Sequence, residues 1–129
     1  MLFRSQRRGS WAEQRALDLL RERGWWLLSR NWRCRWGELD LVLAKPGRLL
    51  VVEVKGRGRG SRDGAGRAAL GRVKRQRLAR SWSCWLVRHP EQAALPVELV
   101  AALVPLPDRL GERGARELRG GVRWIRLDL

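Results

Sequence analysis

Residues 37–55 read Gly-Glu-Leu-Asp-Leu-Val-Leu, then Ala-Lys-Pro-Gly-Arg, then Leu-Leu-Val-Val-Glu-Val-Lys. Two apolar runs with β-forming composition flank a short break containing Pro46 and Gly47, which predicts a hairpin of strand, turn and strand. Side chains of a strand alternate between its faces. Glu38 and Asp40 are therefore expected on one face of the first strand, with Leu39 and Leu41 on the other. Glu53 and Lys55 are expected to share a face of the second strand, with Val52 and Val54 opposite. In an antiparallel pair the polar faces meet, which gathers three carboxylates and one ammonium on strands that are otherwise apolar.

Such groups cost several kcal/mol or more each to bury without a partner. Two partners fit. An ion pair between Glu38 or Glu53 and Lys55 on a half-exposed sheet needs no chemistry. The alternative, favoured once Asp40 is counted across the hairpin, is a divalent cation. Carboxylate oxygens are the ligands Mg²⁺ prefers, and Mg²⁺ usually keeps waters. A lysine beside it can position or deprotonate an attacking water and screen charge on a phosphoryl group.

The chain has 129 residues, enough for one domain with a single core, and shows no internal repeat. No apolar run approaches a membrane span, and the basic start lacks the apolar segment of a secretory signal, so a soluble cytoplasmic protein without a membrane partner is expected. Cys34 and Cys84 are too few and too far apart for a disulfide framework or a zinc site, and read as reduced thiols packed as small apolar groups. The formal net charge is +15, with only three lysines among 28 basic residues. Arginine and tryptophan richness also follows from a GC-rich coding sequence, so distribution decides. Between Lys55 and Arg80 there are ten basic residues and one acid, Asp63. That cluster directly follows the acidic hairpin and points to a nucleic-acid partner.

Along the chain, residues 1–8 read as a basic tail and Ser10 as the N-cap of a helix ending near Gly24. Ser10 and Glu13 have the spacing of a capping box. Glu13 also lies on the helical stripe of Ala16, Leu17 and Leu20, from which a carboxylate reaches the sheet. A first strand is predicted over residues 25–33, with Trp25 and Trp26 as packing residues. Trp32 and Trp36 alternate with Arg30, Arg33 and Arg35, a candidate nucleic-acid face. Residues 56–66 form a Gly- and Arg-rich loop suited to phosphates; neither a Walker loop nor a dinucleotide fingerprint is complete there. A second helix is predicted over about 67–87, with Leu70, Val73, Leu78, Trp82, Trp85 and Leu86 as its apolar stripe and Lys74 snorkelling beside it. His89 reads as a loop residue, residues 97–104 as a strand, residues 105–121 as an exposed excursion, and residues 122–127 as a last strand. This order makes an α/β domain, one mixed sheet flanked by helices.

Asp40 followed by Glu53-Val54-Lys55 resembles the restriction-endonuclease-like nuclease core, whose pattern is an acid followed by Asp/Glu-x-Lys. More closely, the chain resembles the YraN-like family of small bacterial proteins, related to Holliday-junction resolvases. The matching residues are Gly9 to Glu13 with Ala16, Arg30-Asn31, Gly37-Glu38-Leu39-Asp40-Leu41, Val52-Glu53-Val54-Lys55 with Arg57, Lys74, and Trp124-Ile125. The likeness is strong in the hairpin and loose after Trp85; Pro96-Val97-Glu98 stands where the family tends to carry Arg-Phe-Asp. The resemblance implies a restriction-endonuclease-like core and an active-site place for Glu13 and Lys74.

Together these readings lead to a metal-dependent endonuclease for branched or structured DNA. Asp40 and Glu53 would hold Mg²⁺ or Mn²⁺, with Glu38 as support or a further ligand. Lys55 would orient the water, and Arg57, Arg59, Arg62, Arg67 and Lys74 would contact nucleic acid. A single small domain rarely cuts both strands alone, which suggests a homodimer. The competing expectation is a non-catalytic nucleic-acid-binding accessory protein in repair or recombination.

Overall fold

A computed structural model describes residues 4–57, 71–106 and 121–129. Its elements follow in the order α1 (Arg4–Glu22), β1 (Trp26–Cys34), β2 (Gly37–Lys45), β3 (Arg48–Arg57), α2 (Arg72–Arg88), β4 (Val97–Pro105) and β5 (Arg123–Arg126), with a short 3-10 turn at Pro90–Gln92. The five strands form one sheet in sequence order. All neighbours are antiparallel except β3 and β4, which run parallel. A parallel pair needs a long crossover, and the segment carrying α2 supplies it.

Each face of the sheet is covered by one helix. α1 places Ala12, Ala16, Leu17 and Leu20 against Leu41, Leu43, Leu50, Val52, Ala102 and Val104. α2 places Leu78, Trp82 and Trp85 against Leu39, Val42, Ala44, Leu49, Val51 and Ala101. Burial on both faces explains why β3 and β4 read as nearly continuous apolar runs rather than alternating ones. The hairpin turn at Pro46-Gly47 holds Gly47 at φ 77°, a conformation glycine adopts without a Cβ penalty.

Several expectations are corrected. α1 begins at Arg4, so Ser10 lies inside the helix and caps nothing. Arg and Gln at positions 4 and 6–8 are good helix formers, and only Gly9 interrupts them. Leu39 and Leu41 were expected on one face but pack on opposite faces, Leu39 under α2 and Leu41 under α1. The regular alternation of faces along β2 is therefore interrupted between Leu39 and Leu41. Val73 is 63% exposed and outside the apolar stripe of α2, because packing starts only at Leu78. Trp32 is half-buried and packs against the α2-side core. Leu70, Arg59, Arg62, Arg67, most of the Gly/Arg-rich loop and most of the 105–121 excursion lie outside the described residues. Among the described residues, no helix is long and apolar enough to cross a membrane.

Candidate active site

The hairpin ladder of β2 and β3 runs from Lys45 opposite Arg48 up to Leu41 opposite Val52, and stops there. Asp40 and Glu53 come next on the two strands, where the strands part. The Val54 backbone N–H, released from the ladder, donates to Asp40 Oδ2 at 2.8 Å. A side-chain carboxylate thus takes the place of a backbone carbonyl. Both acids are buried, Asp40 at 6% exposure and Glu53 at 8%. Burial pushes the Asp40 carboxyl up to about 8, and the charge of Glu53 adds to it. The Val54 N–H opposes this rise, while Glu13 and Glu38 contribute further repulsion. Asp40 is therefore a carboxylate whose negative charge the fold disfavours.

The neighbouring groups come from five elements. Lys74, in the first turn of α2, reaches the sheet and pairs with Glu53, Nζ to Oε1 at 2.9 Å. α1 presents Glu13, whose carboxylate meets Arg30 Nε of β1 at 3.4 Å. Arg30 also donates to Gln14 Oε1 at 2.8 Å. Burial raises the Glu13 pKa, against the lowering pull of Arg30 and of a hydrogen bond from Asn31. Asn31 stands at φ 51°, in the left-handed region that Asn tolerates better than most residues. Glu38 lies at the exposed end of β2 and pairs with Arg33 at 3.2 Å. Lys55 is half-buried and forms no ion pair among the described residues. The simple alternative, Lys55 paired with Glu38 or Glu53, is thus not the arrangement adopted. Arg57 closes β3, its carbonyl accepting from the Leu106 N–H at 2.9 Å.

The fold brings Asp40, Glu53 and Lys74 together, with Glu13 close enough to act on Asp40 electrostatically. Lys74 is drawn in as an ion-pair partner rather than a snorkelling side chain. Glu38 stands at the rim. The brace of Arg30 and Asn31 on Glu13 was not read as part of the site from the sequence. An asparagine inside an otherwise β-forming run was the available signal, since Asn is depleted in strands.

Among the described residues, no three His, Cys, Asp or Glu side chains are grouped closely enough to hold a metal by themselves. A closed protein cage, such as structural zinc requires, does not fit. Two adjacent carboxylates, one of them destabilised by the other's charge, fit a hard cation that keeps waters or takes substrate phosphate as its remaining ligands.

A mixed sheet with one helix on each face, whose central hairpin ends in a buried acidic pair, is consistent with a restriction-endonuclease-like core. The sequence matches the profile described as "Uncharacterised protein family UPF0102" over residues 12–104. It is 49% identical to a UPF0102 protein of Prochlorococcus marinus strain MIT 9303 across 98% of this chain and 94% of that protein. A UPF0102 protein of Synechococcus sp. strain CC9902 is 52% identical across 81% of this chain and 87% of its own length. One from Halorhodospira halophila is 45% identical across 71% and 75% respectively. The chain belongs to the UPF0102 family, also called the YraN family.

Proposed function

We propose that this protein is a metal-dependent endonuclease that hydrolyses DNA phosphodiester bonds, with branched or otherwise structured DNA as its substrate. The observation that carries this reading is the buried pair of Asp40 and Glu53 at the end of the hairpin. The charge of Glu53 opposes ionisation of Asp40, inside a protein whose formal net charge is +15. A protein that only binds a polyanion gains nothing from acidic groups facing phosphate.

Asp40 and Glu53 would hold Mg²⁺ or Mn²⁺, with the Val54 carbonyl as a further donor. When bound, the ion supplies Lewis-acid screening of charge on phosphorus and an acidified water. Lys55 orients that water for in-line attack. Lys74, held 2.9 Å from Glu53, would be available to the scissile phosphate. Glu13, braced by Arg30, orients the water shell, and Glu38 supports it from the rim. Arg57, Arg59, Arg62 and Arg67 grip flanking phosphates, and two copies of the chain would serve the two strands.

The second reading, a non-catalytic nucleic-acid-binding accessory protein, is favoured by the Glu53–Lys74 ion pair, which already satisfies Glu53 without a metal. The two are separated by incubating labelled single-stranded, duplex, flap and four-way DNA, and matching RNA, with Mg²⁺ or Mn²⁺. Wild type is run beside Asp40→Asn and Lys55→Ala. The nuclease reading expects cleavage of structured DNA by wild type, lost in both variants, with binding nearly unchanged for Lys55→Ala. Tight binding without cleavage in either metal would establish the accessory protein instead.

A further inference from the structure

The two-residue turn between β1 and β2 carries Trp36, which is 39% exposed. The guanidinium carbon of Arg35 lies 4.7 Å from the centre of its ring, and that of Arg80, from α2, lies 4.8 Å away. The indole forms one wall of an open groove of about 620 Å³, with Ala79, Ser83 and Val87 of α2 along the other side and Arg80 and Arg88 beside them. A groove of this size suits a nucleotide-sized group. Among the described residues, its lining includes no carboxylate.

The turn is also held in place. Cys34 Sγ lies 3.7 Å from Ser81 Oγ of α2. Gly37, at φ 145°, approaches the same hydroxyl so closely that a Cβ there would meet it at 3.3 Å. Trp36 is therefore docked on α2 rather than carried on a free loop, so little ordering cost attends a ligand that stacks on it.

We infer that this groove captures an unpaired nucleobase, stacked on Trp36, with Arg35, Arg80 and Arg88 on the adjoining phosphates. The Arg35 and Arg80 guanidinium groups both lie over the indole ring. When a base takes the place of one of them and that arginine swings to a phosphate, the ring and the guanidinium groups offer the two contacts by which single-stranded nucleic acid is held without sequence preference. An acidic peptide satisfies the charges but leaves the aromatic face unused. Arg80 follows Lys74 by six residues, about 9 Å along the helix axis. That is roughly two to three stacked nucleotides at 3.4 Å each. Lys74 leaves α2 toward the sheet to meet Glu53, so one helix carries both a lysine of the acidic site and the arginine wall of the groove. Base capture does not require that the acidic pair be catalytic.

The test uses the full chain labelled with 5-fluorotryptophan, in EDTA so that no cleavage intervenes. The Trp36 ¹⁹F resonance is assigned by its loss in Trp36→Phe. An oligothymidine is expected to shift it, whereas an abasic oligomer of equal length and a blunt duplex leave it nearly in place. Trp36→Leu is expected to weaken oligothymidine binding by about tenfold, with Trp36→Phe restoring most of the affinity, in line with the loss of one base–aromatic stack. An equal shift with the abasic oligomer or a polyglutamate peptide overturns base capture in favour of general anion attraction. So does oligothymidine affinity unchanged in Trp36→Leu, or no shift with any of these ligands.

Discussion

Asp40 sits where two strands part, and its carboxylate does the work of a missing backbone acceptor while its charge is opposed from every side. In EDTA this has a thermodynamic consequence. Its folded pKa is raised to about 8, against about 3.9 in an unfolded chain. Between those pH values the folded protein keeps a proton that the unfolded chain has lost, so stability falls as pH rises from about 4 toward 8. An asparagine oxygen still accepts from the Val54 N–H and carries no charge. Asp40→Asn is therefore expected to be more stable than wild type at pH 7, on the order of a few kcal/mol, and no different near pH 4. Thermal denaturation across that range checks it, and a variant less stable at pH 7 would show that the charge is not strained. A variant both more stable and unable to cleave would locate its defect in the chemistry rather than in folding.

α2 is the element on which the site and the groove both depend, and Trp85 is its anchor. The ring is fully buried, stacks on Trp82 with centroids 5.1 Å apart, and meets His89 at 3.9 Å. Its Nε1–H donates to Ser29 Oγ at 2.9 Å, where β1 carries the irregularity between Leu27 and Ser29. His89 is held in turn through a 2.7 Å contact of Nδ1 with the Trp85 carbonyl, which gives it a packing place rather than a catalytic one. Trp85→Ala is expected to cost about 3–5 kcal/mol from the cavity it leaves. Trp85→Phe, which keeps an aromatic ring but leaves Ser29 without its donor, should cost less. Urea denaturation of both variants measures the difference. Comparable losses would mean that the hydrogen bond rather than the ring volume holds α2 to the sheet.

The whole molecule is a cation of formal net charge +15 with a buried acidic pair. On the proposed function its positive field would draw in nucleic acid, with the acidic pair interrupting that field at one place. Phosphate contacts make binding steeply salt-dependent. Neutralising Arg57, Arg59 and Arg62 together is expected to weaken binding to all sequences alike. It should also reduce the slope of log K against log salt by about 2 to 3, roughly one for each lost contact. Titrations at several ionic strengths provide the measure, and an unchanged slope would remove that segment from the phosphate grip.

The alternating and continuous apolar runs were enough to place the hairpin, the α/β class and both helices, because burial pattern is a local property of the chain. Asp40, Glu53 and Lys55 stood out for the same reason, as charges in runs that otherwise bury. Local pattern could not show that the ladder ends at Leu41 and Val52, since strand pairing is settled by both strands at once. It therefore assigned Leu39 and Leu41 to one face, whereas they pack on opposite ones. Nor could it choose partners for the charges. Lys74 takes Glu53, Arg30 takes Glu13 and Arg33 takes Glu38. Trp32 and Trp36 look alike in sequence, yet one packs under α2 and the other faces solvent between two arginines. The sequence alone determined which residues are charged and most of those that are buried, though not Val73 and Trp26, which stay exposed. Which of them meet was decided by tertiary structure, because an ion pair or a stack forms between elements that only the folded sheet brings within a few ångströms.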